Sequence, residues 1–259
     1  MSLRQLLSLE GRTALVTGGS RGLGLQISAG LGEMGARVLI SARKPEELEA
    51  ACAQLHAQGV AADWLAADGA READIQRLAD EALHRLGHVD ILVNNAGATW
   101  GAPAEDHPIE AWDKVMNLNI RGVFLLTQAI GKRSMIPRRH GRILNIASIA
   151  GLAGNPPGTM TTLAYNTSKG ALINFTRTLA GEWGRHGITV NALAPGFFPS
   201  KMTAGTLAAV GEAALARYAP LQRIGGDEDL KGAALLFASD AGRHITGQVL
   251  AVDGGMSAV

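Results

Sequence analysis

Apolar positions along this chain fall into two alternating patterns. Short, nearly unbroken runs occur at Thr13–Thr17, Arg37–Ser41, Ala61–Ala67, Val89–Val93, Arg142–Ala147, Thr189–Ala194 and Gln248–Val252. Between them, apolar residues recur at spacings of three and four over Pro45–Gln58, Glu72–Leu86, Ile109–Ser134 and Ala164–Arg185. The first pattern is that of strands covered on both faces; the second is that of helices with one apolar side. Their alternation predicts an α/β fold: a doubly wound, seven-stranded parallel sheet with helices on both faces, three layers deep. No linker, repeat or low-complexity tract interrupts it, so the 259 residues are expected to form one domain. The least regular stretch, around 196–218, follows Pro195-Gly196 and carries Phe197-Phe198-Pro199 before a small-residue helix; it reads as a lid over a ligand.

The first strand runs into Thr17-Gly18-Gly19-Ser20-Arg21-Gly22-Leu23-Gly24 and then into a helical pattern. Strand, glycine turn and helix open a dinucleotide-binding unit. Gly18 and Gly22 are expected to let the backbone turn sharply and approach a pyrophosphate, and Gly24 to let the helix pack on the sheet. The helix start offers free N–H groups and partial positive charge to the phosphates. At the end of the second strand, where NAD-preferring proteins usually place an acid, stand Ala42 and Arg43, with Arg21 in the glycine turn. Two guanidinium groups with no carboxylate suit a 2′-phosphate, which predicts NADP(H) over NAD(H); the bland alternative is two surface arginines. Asp68, after the third strand, has two readings: it accepts the adenine amino group, or it caps the next helix. Asn94-Asn95-Ala96-Gly97 ends the fourth strand; the small pair permits close approach to a ribose, and Asn94 is expected to tie strands together.

Composition narrows the function classes. The formal charge is +1 with scattered Lys and Arg, which argues against nucleic acid or a membrane surface as partner. Cys52 is the only cysteine and lies on a helical stripe with Leu48 and Leu55, so it reads as a buried structural thiol. No apolar segment reaches the length of a membrane span and no signal-peptide core is visible, so a cytoplasmic protein is expected. The seven histidines show no ligand-like cluster, so no metal is expected.

Tyr165 and Lys169 are four apart on a predicted helix and share one face. An ammonium beside a phenol is expected to lower the phenol's pKa, making it a proton donor or acceptor near neutrality. Ser148 ends the fifth strand, at the carboxyl edge where open α/β sheets bind ligands; its hydroxyl can bond a substrate oxygen or simply form a turn.

Together, Thr17–Gly24, Asn94–Gly97, Asn119, Ser148, Tyr165-x-x-x-Lys169, Pro195-Gly196 and Val252-Asp253-Gly254-Gly255 make the chain resemble the short-chain dehydrogenase/reductase family over nearly its full length. The resemblance implies a Rossmann-like fold, a nicotinamide cofactor and an Asn119-Ser148-Tyr165-Lys169 tetrad, in which Asn119 bends its helix through a backbone carbonyl and holds a water linked to the lysine. It implies cofactor contacts from Gly18, Ser20, Arg21, Gly22, Leu23, Arg43, Asp68, Gly69, Asn95, Ala96, Gly97, Tyr165, Lys169, Pro195, Gly196, Phe198 and Ser200. It also implies a homotetramer built as a dimer of dimers.

Within the family the chain is similar to 3-oxoacyl reductases. The stretches Asn94–Gly101 and Phe198–Thr203 look like β-ketoacyl reductases of the kind described in rhamnolipid synthesis, and are similar also to gluconate 5-dehydrogenase-like members. Three features depart from the family pattern: Gly69 follows Asp68 where an aliphatic residue is usual, extra residues fall around Asn155–Met160, and Ser200 stands where threonine often contacts the carboxamide. Apolar lid residues Phe197, Phe198, Met202, Leu207 and Leu215 favour an acyl substrate, or merely pack the lid on the body. The competing classes are a sugar-acid or polyol dehydrogenase and an NADP-binding sensor without turnover.

Overall fold

The computed structural model describes residues 1–156 and 158–259. Its strands are β1 (Thr13–Thr17), β2 (Arg37–Ala42), β3 (Ala62–Ala66), β4 (Ile91–Asn94), β5 (Gly141–Ile146), β6 (Ile188–Pro195) and β7 (Val249–Val252). They form one parallel sheet in the order β3-β2-β1-β4-β5-β6-β7. Each apolar run predicted from the sequence is a strand, with ends displaced by a residue or two. The largest displacement has a chemical cause. The β4 ladder begins at Ile91 rather than Val89, because the Asp90 carboxylate accepts the Thr13 N–H at the sheet's lower edge.

The helices are α1 (Leu3–Leu7), α2 (Gly22–Glu33), α3 (Pro45–Ala57), α4 (Glu72–Leu86), α5 (Ile109–Met116), α6 (Gly122–Ile130), α7 (Ile136–Arg138), α8 (Leu163–Trp183), α9 (Ala204–Val210), α10 (Glu212–Ala216) and α11 (Lys231–Ala238). Side chains of β1 alternate between two cores. Ala14 and Val16 pack with Ile27, Leu31, Leu48, Leu55 and Phe237, while Leu15 packs with Leu78, Ala82, Leu126, Ile130 and Leu179. Burial on both faces is why the strands read as continuous apolar runs. Two elements lay outside the sequence reading: α11, and α1, whose start carries a reciprocal capping box between Ser2 and Gln5.

The predicted helix Ile109–Ser134 is not uniform. Asn117–Arg121 and Gly131–Met135 are π-helical turns that separate α5, α6 and α7. At the first, the Gly69 carbonyl presses against Gly122 so closely that a Cβ there would overlap it. At the second, the Trp183 ring fills the space where a side chain at Gly131 would sit. Among the described residues, no helix is long and apolar enough to cross a membrane.

Candidate active site

Strand order reverses direction between β1 and β4, so the loops leaving their carboxyl ends part and leave a crevice. A groove of about 870 Å³ lies there, running from Ser41, Arg43 and Asp68 past the glycine turn to Ser148, Tyr165 and Lys169. It is lined by Gly18, Ser20, Arg21, Gly22, Leu23, Gly69, Asn95, Ala96, Gly97, Pro195, Gly196, Phe198 and Ser200 as well. Of the predicted site residues, only Asn119 lies behind the wall rather than in it.

The glycines have partly different tasks from those expected. Gly18 and Gly22 both hold positive φ, 64° and 53°, which side chains resist. The space beside Gly18, however, is filled by protein: a Cβ there would lie 2.8 Å from Asn95 Nδ2 and 3.0 Å from Ala96 Cα. The missing Cβ at Gly18 therefore makes room for the 94–97 loop, while the residue also lines the groove. A Cβ at Gly24 would overlap the Gly18 carbonyl and the Asn95 amide, so α2 packs tightly on the turn and the loop beside it. Asn95 Nδ2 donates to the Thr17 and Gly18 carbonyls at 2.9 and 3.0 Å, and Thr17 Oγ1 accepts from the N–H groups of Asn95 and Ala96. Asn95 thus shapes the floor with its side chain. Asn94 ties strands as expected, donating to Asn145 Oδ1 on β5 at 2.9 Å and to Thr127 Oγ1.

At the end of the groove beside Arg21, Arg43 and Asp68 the structure corrects one expectation. A carboxylate is present after all. Glu47, from the first turn of α3, accepts from Arg21 Nη1 at 2.7 Å and has Lys44 Nζ at 3.5 Å. Helical periodicity hid this, because an acid in a first helical turn answers the helix dipole anyway. Arg43 is exposed at the groove's rim. Asp68 closes a local turn, its Oδ1 accepting from Ala70 N at 3.0 Å, while the helix cap itself is Arg71 and has no side-chain bond. The capping reading of Asp68 does not hold, because its side chain reaches no N–H of the first turn of α4. Gly69 leaves room that Leu118 fills, its Cδ1 lying 3.1 Å from where a Cβ would be.

At the other end, Ser148, Tyr165 and Lys169 converge. Ser148 takes the turn-forming role: Oγ accepts from Ala150 N at 3.1 Å, and the hydroxyl also bonds that of Tyr165. Gly151 lets that turn sit directly on the α8 backbone at Lys169, where a Cβ would come within 2.6 Å. Lys169 is buried, donates to the Ile146 carbonyl at 2.6 Å, and lies 5.6 Å from the centre of the Tyr165 ring. The expected lowering of the phenol's pKa by the ammonium is not what this geometry produces. Burial raises the Tyr165 pKa above its usual value and the Ser148 bond only partly offsets that. Lys169 itself is pushed down to about 8 by burial.

Asn119 lies in the first π-helical turn and is buried. Its side chain accepts from Ala98 N at 2.8 Å and donates to the Ala98 carbonyl and to Ser168 Oγ, both at 2.9 Å. The bent helix therefore clamps the loop after β4 against α8, one residue from Lys169. A Cβ at Gly97 would stand in ordinary contact with Asn119 Oδ1 at 3.4 Å and Lys169 Nζ at 3.7 Å.

Of the 196–218 segment, Gly196 and Phe198–Thr203 line the groove. Gly196 N donates to the Val252 carbonyl at 3.0 Å, and Asp253 occupies the space a Cβ at Gly196 would need, which accounts for the Pro195-Gly196 and Val252–Gly255 motifs together. Phe198 is buried against Gly225. Ser200 Oγ is paired with Thr203 Oγ1 at 2.9 Å. Asn155 reaches back to Met160 O and Thr162, and Asn166 Nδ2 donates to Asn155 Oδ1 at 3.1 Å, so the extra residues fold onto the start of α8; Pro157 lies outside the described residues. Cys52 is buried, and burial pushes its thiol up to about 11.

Comparison with known proteins agrees with this geometry. Residues 12–210 match the family model for short chain dehydrogenase. Gluconate 5-dehydrogenase of Gluconobacter oxydans is 41% identical over 261 aligned positions, covering 99% of each chain. The rhamnolipids biosynthesis 3-oxoacyl-[acyl-carrier-protein] reductase of Pseudomonas aeruginosa is 42% identical over 253, covering 96% of this chain and 97% of that one. The crystal structure of a gluconate 5-dehydrogenase from Burkholderia cenocepacia, in complex with NADP and tartrate, superimposes with a TM-score of 0.92 at 36% identity over 100% of both chains. The chain belongs to the short-chain dehydrogenase/reductase family and is an oxidoreductase acting on CH–OH and C=O groups.

Proposed function

We propose that this protein uses NADPH to reduce a ketone to a secondary alcohol, with a 3-oxoacyl compound as the substrate class. The observation that carries the reaction is the convergence of Ser148, Tyr165 and buried Lys169 at one end of a groove whose other end presents Arg21, Arg43 and Lys44. The groove fits a dinucleotide. The α2 N-terminus opens into it with no side-chain cap on Arg21, leaving first-turn N–H groups for a pyrophosphate. Arg21 and Arg43 would hold a 2′-phosphate, Asp68 and Gly69 would border the adenine, and Ala96, Gly97 and Lys169 a ribose.

When bound, the reduced nicotinamide supplies hydride to the carbonyl carbon. Ser148 and Tyr165 meet the carbonyl oxygen, and Tyr165 gives it a proton as negative charge develops. Burial favours the protonated phenol, the form that reduction requires of a proton donor. Asn119 holds the loop and helix that frame Lys169; with its side chain occupied, its part in proton delivery falls to its backbone carbonyl.

The substrate class rests on the loops leaving β4, β5 and β6, which expose Trp100, Leu152, Met160 and Met202. The 98–102 and 160–162 loops touch, with Ala102 N donating to Thr161 O at 2.9 Å, so two of these side chains stand on adjoining segments. A sugar acid is the second reading, favoured by the Gluconobacter relative and by Lys114 in the groove wall. Large apolar side chains exposed on α5, α6 and α8, namely Ile109, Phe124 and Leu163, support self-association, with a tetramer as the expected form. The deciding experiment is a panel of 3-oxoacyl thioesters, 5-keto sugar acids and simple ketones, each with NADPH and NADH. A higher kcat/KM for the thioesters with NADPH is expected. Faster turnover of keto sugar acids would replace the first reading with the second. NADPH binding with no turnover of any ketone would leave a nucleotide-binding sensor.

A further inference from the structure

We propose that Glu47 is a built-in competitor of the cofactor's 2′-phosphate for Arg21, and so sets how sharply the groove distinguishes NADP(H) from NAD(H). This rests on the NADP(H) reading of the adenosine end and deepens it.

Helix α3 begins with Lys44 as cap and Pro45 at its first position, and carries Glu46 and Glu47 in its first turn. The helix dipole accounts for acids there but not for where they point. Glu46 is exposed, whereas Glu47 is half-buried and lines the groove. Its carboxylate takes Arg21 Nη1 at 2.7 Å on one oxygen and Lys44 Nζ at 3.5 Å on the other. Burial acts to raise its pKa, but the charges of Arg21, Lys44 and Lys201 outweigh that and hold it below the ordinary value. Arg21, Arg43, Lys44 and Lys201 all line this part of the groove, beside Ser41 and Ala42. Together they form a site for an anion, and Glu47 already supplies one.

The two cofactors meet this carboxylate differently. A 2′-phosphate carries up to two negative charges and matches the guanidinium fork. To grip it, Arg21 must leave Glu47, and the carboxylate then stands near a like charge. A 2′-hydroxyl is a hydrogen-bond donor and requires no such exchange, since a carboxylate accepts from it. Glu47 therefore weakens the phosphorylated cofactor selectively. Its removal sharpens the preference rather than abolishing it.

The test is calorimetric titration of the full-length protein with adenosine 2′,5′-bisphosphate and with 5′-AMP, which differ only in the 2′-phosphate. The Glu47→Gln variant is expected to raise the ratio of the two affinities about three- to tenfold at low salt, with the gain shrinking as ionic strength rises. Glu46→Gln removes the same charge from the same helical turn, and should move the ratio less than about twofold, because Glu46 is solvated. In an Arg21→Gln background the Glu47→Gln gain should disappear. A ratio unmoved by Glu47→Gln, an equal response to Glu46→Gln, or a gain that persists in full without Arg21 would overturn the proposal. The NADP(H) reading fails separately, if the unaltered protein binds the bisphosphate no better than 5′-AMP. In that case a ratio that Glu47→Gln still raises supports the competition on its own.

Discussion

At the amino ends of the strands, buried charge is matched by counter-charge. Asp90 accepts from Thr13 N at 3.0 Å and has His88 Nε2 at 3.1 Å; Arg138 Nη2 lies 2.9 Å from its second oxygen, off the hydrogen-bond direction. Arg142, also buried, meets Asp240 at 3.0 Å, and Arg12 links Asp240 to His140. At the carboxyl ends Lys169 is as deeply buried, yet among the described residues its Nζ bonds only a backbone carbonyl and pairs with no acid. A buried charge with partners is consistent with structure; a buried charge left with one neutral acceptor points to a ligand. Lys169 thus lies under a groove that a cofactor fits, whereas the Asp90 cluster closes on itself.

That contrast can be broken by substitution. Tyr165→Phe should lower kcat by about 10²- to 10⁴-fold while changing stability by about 1 kcal/mol, as measured by turnover and by denaturant unfolding. Asp90→Ala should do the reverse. Leaving Arg138 and the Thr13 N–H without their acceptor is expected to cost about 3–5 kcal/mol in unfolding free energy, with NADPH affinity unchanged in the folded fraction. Lys169→Met sharpens the point, since it removes a buried charge that has no counter-ion. Its melting temperature should stay level or rise while NADPH titration shows weakened binding; a large loss of stability would show that Lys169 is structural.

The smallest effect concerns acid. His140 accepts from Arg12 and is held neutral, its pKa pushed down to about 4 by burial and by Arg142 and Arg12, against the pull of Asp90 and Asp240. Between about pH 6.5 and 4 the unfolded chain binds a proton there that the folded chain does not, so stability falls as pH drops through that window. His140→Gln should flatten this slope by on the order of 2 kcal/mol in pH-dependent unfolding. An unchanged slope would mean that the histidine is solvated in the folded state.

Much of this layout was legible in the chain. The apolar runs of β1, β4 and β5 are continuous because both faces of the sheet are covered, and that demand acts on every residue locally. Ser148 could be placed at a strand's carboxyl end and Tyr165 and Lys169 on one helical face, because strand and helix periods alone decide those positions. Asn94 could be assigned to tying strands together. What stayed hidden required knowing who sits next to whom. Nothing near Gly18 in sequence says that Asn95, 77 residues on, fills the space beside it. Periodicity over Ile109–Ser134 shows only one long helix, and neither the π-helical turn that carries Asn119 to Ala98 nor the Gly69 carbonyl packed against Gly122.

The amino-acid sequence by itself determined the alternation of strands and helices, the glycine turn and the residues available for chemistry, since these follow from local backbone preferences and apolar spacing. Tertiary structure decided what each charged group experiences. The Lys169 amine is tied to the Ile146 carbonyl, the Tyr165 phenol is governed more by burial than by its neighbouring ammonium, and Arg21 is held by an acid from the next helix. Electrostatic energy depends on distance and on solvent exclusion, and both are set only when segments far apart along the chain pack together.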